Sequence, residues 1–454
     1  MMEETTSDVA MGHRSSGTAK KWYWSHIFMA FYGMGWAVTA DVGIRLYGAE
    51  VIVLLSLVIL KWTPLLRRYP ILTAVLGAYG LWVLAILISD LINATVLFDL
   101  LRNMFTPILG AAGVVFVTAC VMRAPRSILT YFIAIGLAKA ILGEPLYGEV
   151  FDHFETSWAS VQQNSNFFKV RFEPALSPLA ICVAILLSRR SPKYGGLWLV
   201  AISVFFVYFD ARSAGAMILL AGLATILIHR NFQPKLSRVF MGAITALSLS
   251  YGAYVAYVSY VLNSDNPSLN AAQLLQVQNP YNPISLLLIG RSEWLVMPQA
   301  IAERPIVGWG SWARDEDGRF ASLRSNRLRD TTLDLSDRTG ELYIPAHSVV
   351  GAAWVWSGLL GFVAMTWLAK LIWRLIVALP QLRSALLPAL CYLAAMLIWH
   401  FLFSPPQSVR IHFPIALGAL IAMTRVPQSN KPGKSNLAIF PYVDNGSRCE
   451  PLTK

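Results

Sequence analysis

The chain has 454 residues, of which 56% are hydrophobic and only 14% charged, against roughly 25% charged in soluble domains. That balance excludes a water-soluble globular protein and calls for a bilayer as solvent. The formal net charge of +12 raises nucleic acid as a partner. However, the basic residues are spread over short connections between apolar runs, a pattern suited to anionic lipid and not to nucleic acid.

Residues 1–21 form a polar tail with Lys20 and Lys21 ahead of the first apolar run. No small-residue cleavage site follows, so an uncleaved anchor is expected. Apolar runs then recur at 22–40, 44–61, 70–89, 100–122, 127–143, 174–188, 196–210, 213–229, 237–262, 347–370, 384–403 and 409–424. Most approach the length of roughly 17–25 residues that spans hydrocarbon. The 15 tryptophans suit many helix ends lying at membrane interfaces. The expected fold is all-α, a polytopic membrane protein of about twelve transmembrane helices over 22–425, with a polar C-terminal tail at 426–454.

Charge sets the expected orientation. With the N-terminus inside, the inner connections carry Lys61, Arg67, Arg68, Arg123, Arg126, Arg189, Arg190, Lys193, Arg230, Lys235, Arg238, Lys370, Arg374 and Arg383, and no acidic residue. The acidic residues fall mainly on the other side, as the positive-inside rule requires. Both termini are then cytoplasmic. Two outer connections are long: 144–173, and a large loop at 263–346 that is nearly neutral and carries an arginine-rich run. Pro298, Gly308 and Gly310 break this loop into short pieces, and 284–297 reads as an interfacial amphipathic helix. The spans themselves hold almost no buried charge on this reading.

A few residues stand out as carriers of chemistry. Arg212 sits between two apolar runs on the outer side. It is either a snorkelling arginine paired with Asp210 or a fixed cation for a phosphate, because guanidinium offers a planar fork of donors and keeps its charge. Arg291 is either a loop arginine paired with Glu293 or a cation facing a cleft. His347 opens an apolar run after Pro345. It is either an interfacial residue at a helix end or a general base, since an imidazole titrating near ~6.5 can take a proton at neutral pH. Lys169 and Arg171 are interfacial anchors or a second pair of cations at a polyanionic headgroup. Lys139 reads as a snorkelling residue, and His26, His153, His400 and His412 read as interfacial. The four cysteines show no metal or disulfide spacing. No HExxH, DxD, P-loop or dinucleotide signature is present, so no metal or cofactor is expected.

Three motifs lie in order along the outer side. The first is an arginine opening a span, Arg212 in ARSAG. The second is R-x3-L, Arg291 to Leu295, followed by ERPIVGWG with Pro305, Gly308 and Gly310. The third is H-S-x9-G-x-x-G, with His347, Ser348, Gly358 and Gly361. Together they resemble the O-antigen ligase and polymerase superfamily of bacterial inner-membrane glycosyltransferases, with a fold of the glycosyltransferase C-like kind. The resemblance implies a role in lipopolysaccharide or other polysaccharide biosynthesis: a glycan passes from undecaprenyl diphosphate to an acceptor sugar at the periplasmic face, without a metal. The acceptor is lipid A-core in a ligase and a second lipid-linked glycan in a polymerase. Arg212 and Arg291 would hold the diphosphate, and His347 would activate the acceptor hydroxyl. Lys169 and Arg171 would be possible substrate-binding residues, and the large loop would close over the substrates. A twelve-helix transporter and an inert scaffold of an export complex are the readings from other classes.

Overall fold

Long apolar runs without water must satisfy their backbone internally, and helices do this within one segment. The computed structural model describes residues 16–41, 45–59, 62–143, 168, 172–209, 211–229, 293–320, 322–323, 343–344, 346–382 and 384–424, with a few positions between 251 and 262. The helices in chain order are α1 Ser16–Gly35, α2 Gly48–Ile59, α3 Trp62–Arg68, α4 Pro70–Ile92, α5 Leu97–Arg123, α6 Ser127–Leu142, α7 Glu173–Ser188, α8 Pro192–Tyr208, α9 Arg212–His229, α10 Glu293–Glu303, α11 Val349–Ala378, α12 Leu387–Phe403, α13 Ser408–Ile411 and α14 Phe413–Met423. The chain is mostly helical. Four helical segments, Pro70–Ile92, Leu97–Arg123, Arg212–His229 and Val349–Gln381, are long and apolar enough to cross a membrane, and α6, α7, α8, α12 and α14 are shorter apolar helices.

The expectation of an all-helical chain needs one correction. Thr39–Asp41 (β1) and Arg45–Tyr47 (β2) pair as a short antiparallel hairpin with Ala40 opposite Leu46. The run expected at 44–61 therefore starts with a strand, and the helix begins only at Gly48. The run expected at 237–262 lies almost wholly outside the described residues, as does all of 263–292.

The helices are apolar on both faces. On α4 the buried face carries Leu72, Val75, Tyr79, Trp82 and Ile86, while Leu84, Ile88 and Leu91 point outward. A helix that is hydrophobic all round belongs in a membrane or a large core. Where α5 meets α14 the contact runs through small residues. A Cβ on Gly113 would lie 2.8 Å from Pro414, and one on Gly418 2.7 Å from Val117. Such close approach is how helices associate when lipid supplies no hydrophobic drive.

The bundle has two distinct ends. One carries the short α5–α6 and α7–α8 connections and the end of α9, where His26 meets Thr130 at 2.7 Å and Ser191 meets His229 at 3.3 Å. Its described charges include Arg123, Arg126, Arg189, Arg190 and Lys193, with no carboxylate in those connections. The other end gathers the start of α2, the α4–α5 turn, α10 with its following loop, the start of α11, and the α12–α13 turn. This second end is called the site end.

Candidate functional site

The geometry of the site end starts from a broken helix. Ser348 caps α11: its hydroxyl accepts from the Gly351 N–H at 3.3 Å. Ten residues later Gly358 adopts φ 62° and ψ −158°, which interrupts the helix. A break of this kind strands backbone donors and acceptors inside apolar surroundings, where each unpaired group is costly. The segment after α10 satisfies them. The Trp309 N–H donates to the Val355 carbonyl at 2.8 Å and the Gly310 N–H to the Trp356 carbonyl at 3.0 Å. The Leu359 N–H donates to the Ile306 carbonyl at 3.0 Å.

The glycines permit this splice. A Cβ on Gly358 would lie 2.0 Å from the Ile306 oxygen, and one on Gly308, at φ 80°, 2.6 Å from the Gly358 nitrogen. Two of the motifs found in the sequence, ERPIVGWG and H-S-x9-G-x-x-G, are therefore one joint in space.

The end of α4 fastens the joint. The Ser89 hydroxyl donates to the Trp356 carbonyl at 2.6 Å. The buried Asp90 carboxylate accepts from the Ser311 N–H at 2.5 Å, the Ser311 hydroxyl at 2.6 Å and the Thr95 hydroxyl at 3.0 Å. Asn103 of α5 donates to the same Ser311 hydroxyl at 2.6 Å. The Arg304 guanidinium donates to Asn93 at 2.8 Å and lies over the Trp309 ring. Trp312, held at φ 54°, is capped by the Arg102 guanidinium 3.9 Å from its ring centre and packs on Trp356. The segment 304–312 is thus part of the bundle's end, and any closure of the large loop over a substrate must come from other residues of it.

His347 precedes the Ser348 cap, and its side chain is 51% exposed. Its Nδ1 lies 3.5 Å from Oε1 of Glu293, the first residue of α10, whose side chain is 11% exposed. A carboxylate on Nδ1 orients an imidazole and leaves Nε2 toward solvent, the arrangement that a general base needs. Glu293 stands here as the partner of His347. Nothing beyond its place in an amphipathic segment marked it for that role in the sequence.

Arg212 opens α9 and is half-buried. The end of α9 and the start of α12 lie together at the opposite end of the bundle, since Ser191 meets His229 at 3.3 Å and a Cβ on Gly195, at the start of α8, would lie 3.0 Å from Pro388. Arg212 therefore lies at the same end as the close of α12, where Phe403 meets Trp294 of α10. α12 packs on both α9 and α11, which puts Arg212 and His347 at one end of the bundle and on different neighbours of α12. Arg291, Lys169, Arg171 and Asp210 lie outside the described residues. Arg102 and Arg304 are cations at this end that the sequence reading did not single out. Their lack of a signal is understandable, since Arg102 sits inside an apolar helix and Arg304 inside a loop.

A second polar cluster corrects two sequence expectations. Glu50, at the start of α2, and Arg410, in α13, are both buried and form an ion pair through both carboxylate oxygens. The Tyr47 N–H also donates to Glu50 at 2.9 Å. Together with Asp90, they show that buried charge is present at the ends of the spans. His400 and His412 are not separate interfacial residues either: their rings stack 3.9 Å apart and 7° from parallel, and His400 Nδ1 lies 2.8 Å from the Ser404 hydroxyl.

An open polar pocket of about 280 Å³ lies on the loop side, lined by Arg304, Trp309, Arg314, Glu316, Asp317 and Arg319 among others. Arg319 is bonded to Glu303 at 2.5 Å. The mixture of guanidinium and carboxylate groups suits a hydroxyl-rich ligand rather than a simple anion or cation. Among the described residues no group of three His, Cys, Asp or Glu side chains converges as metal ligands would. No family model matches the chain, and no curated protein matches it.

Proposed function

We propose that the protein is a membrane glycosyltransferase that moves a glycan from undecaprenyl diphosphate to an acceptor sugar, ligase-like, with lipid A-core as acceptor. On this reading the chain spans the bacterial inner membrane about twelve times, both termini are cytoplasmic, and the site end faces the periplasm. The observation that carries the reading is the Glu293–His347 pair at 3.5 Å, mounted beside the helix joint and at the same end as Arg212.

The chemistry follows from these groups. The acceptor hydroxyl gives its proton to Nε2 of His347 as its oxygen attacks the anomeric carbon. The bond from that carbon to the phosphate oxygen breaks, and its electron pair leaves with the lipid diphosphate. Fixed guanidinium groups stabilise the charge that grows there, a role assigned to Arg212 and Arg291. Attack opposite the leaving group inverts the anomeric centre. Lys169 and Arg171 are assigned to the donor headgroup, and the pocket beside Arg304 and Trp309 to acceptor hydroxyls. A polymerase that joins O-antigen, capsule or exopolysaccharide repeat units uses the same donor chemistry and is the second reading. A transporter is less favoured, because the buried charges Glu50, Asp90 and Arg410 sit at helix ends, whereas transporters place binding charges near the midplane.

The test is reconstitution in proteoliposomes with undecaprenyl diphosphate-linked glycan and either lipid A-core or further donor, with and without EDTA. Transfer to lipid A-core that resists EDTA is expected, whereas longer lipid-linked chains would select the polymerase. His347→Ala should lower turnover about 10²–10⁴-fold in a correctly inserted protein, and Glu293→Gln by less. Full transfer by His347→Ala would remove the assigned base.

A further inference from the structure

The open pocket beside Trp309 is built on a tight turn. The Gly318 N–H donates to the Asp315 carbonyl at 3.0 Å, and Glu316 and Asp317, both exposed, stand at the tip of that turn. Two anchors fix the turn to the site end. The Ile344 N–H donates to the Ala313 carbonyl at 2.9 Å, and Arg319 is bonded to Glu303 of α10 at 2.5 Å. Another part of the wall is apolar and equally fixed. The Trp309 indole N–H donates to the Ala300 carbonyl at 2.8 Å, and its ring meets the buried Phe320 edge to face at 5.5 Å.

The polar groups of the wall divide into committed and spare. Arg304 bonds Asn93 and covers Trp309, Arg319 holds Glu303 and lies over Phe320, and Asp315 is buried and already engaged. Among the described residues, no hydrogen bond or ion pair takes up the side chains of Arg314, Glu316 or Asp317. The spare set is therefore one guanidinium, which only donates, and two carboxylates, which only accept. A sugar hydroxyl does both, so a run of hydroxyls can satisfy all three groups. An ionised carboxylate or phosphate on the sugar only accepts. It would meet Glu316 and Asp317 with no proton to offer them, and like charges brought together are costly. A pocket of about 280 Å³ is smaller than the roughly 300–1,000 Å³ of drug-sized sites, which suits a single sugar residue.

We propose that Glu316 and Asp317 set the specificity of this pocket, so that it takes one neutral sugar residue and turns away uronic and phosphorylated sugars. The two carboxylates accept from neighbouring hydroxyls, Arg314 donates to a hydroxyl or ring oxygen, and Trp309 with Phe320 supplies apolar surface for the C–H face. That a sugar is the occupant rests on the transferase reading; what is added is that the acceptor residue is uncharged.

The experiment measures binding to the full-length protein in detergent by saturation-transfer NMR. The probes are the methyl glycosides of glucose, galactose and mannose, each paired with the uronic acid form of the same glycoside. At least one neutral glycoside should bind, and its uronic acid form should bind at least about fivefold more weakly. The double variant Glu316→Gln with Asp317→Asn removes the charge at constant size and should bring the two forms within about twofold of each other. Glu316→Ala with Asp317→Ala removes the acceptors and should weaken the neutral glycoside by about tenfold or more. Equal binding of both forms by the unaltered protein would overturn the specificity. No glycoside binding, or neutral binding unchanged by the double alanine variant, would overturn the pocket as a sugar site. Binding is read without donor, so it is separable from transfer. Glycan transfer in proteoliposomes with no glycoside binding would sink the pocket assignment alone, whereas selective glycoside binding without transfer would sink the transferase reading alone.

Discussion

Asp90 and Glu50 are both buried carboxylates at the site end, and each ties a connecting segment to the bundle, but their partners differ in kind. Asp90 holds the loop at Ser311 through that residue's backbone N–H and hydroxyl, and accepts a third bond from the Thr95 hydroxyl. Glu50 holds the α12–α13 region through the Arg410 guanidinium. A carboxylate matched by neutral donors keeps its own charge as the main liability, whereas in an ion pair each partner depends on the other. Breaking a buried pair strands a charge, while replacing the whole pair by apolar groups is often neutral. The two anchors should therefore respond very differently to single substitutions.

The largest effect is expected at Glu50. Glu50→Gln leaves the Arg410 guanidinium buried without a counter-charge and should cost about 3–5 kcal/mol, read as a lowered melting temperature in detergent. The double variant Glu50→Leu with Arg410→Met should recover most of that loss. A single variant no less stable than the double one would mean that the pair does not act as a unit, and the contrast with Asp90 would disappear.

The helix joint comes next. Gly358→Ala places a Cβ 2.0 Å from the Ile306 oxygen at φ 62°. The left-handed backbone costs about 1–2 kcal/mol for an L side chain, and overpacking adds about 1–3, for a loss of roughly 3. The splice should open before the bundle does, so hydrogen exchange at Trp309, Gly310 and Leu359 should rise while α5 and α14 stay protected. Unchanged exchange at those three amides would show that the loop does not depend on the broken helix.

Much of the helical layout was legible in the sequence, because period and length in apolar runs translate directly into helices. The runs at 127–143, 174–188 and 213–229 agree with α6, α7 and α9 to within a residue. The crowding of arginines in the short connections of one end was also visible locally. What escaped was non-local. Glu50 and Arg410 are 360 positions apart, and nothing near either residue announces the other. The hairpin at 39–47 straddles the short connection between the runs at 22–40 and 44–61, whose flanking ends read equally well as helix. In the site, His347 and the glycines of its motif stood out, but their roles as neighbours of a spliced loop came only from the fold. Asp90 was passed over because an acidic residue at the end of a span reads as interfacial.

The smallest effect expected is at Asp90, and it is the more informative for function. Asp90→Asn keeps the size and one acceptor oxygen but replaces the other by a donor, facing a Ser311 hydroxyl that already accepts from Asn103. The loss is about one hydrogen bond, roughly 1 kcal/mol, because the surrounding donors are neutral and no charge is stranded. The global melting temperature should therefore barely move. The segment 309–312 should nonetheless loosen, since Asp90 receives both the Ser311 N–H and its hydroxyl. Limited proteolysis of intact protein in detergent reads this directly: cleavage in the loop should accelerate severalfold in Asp90→Asn while the Glu50–Arg410 region keeps its resistance. If the loop is cut no faster, then the backbone splice into α11 holds it alone. Asp90 would then be a passive cap on α4, and the two anchors would differ in function as well as in chemistry.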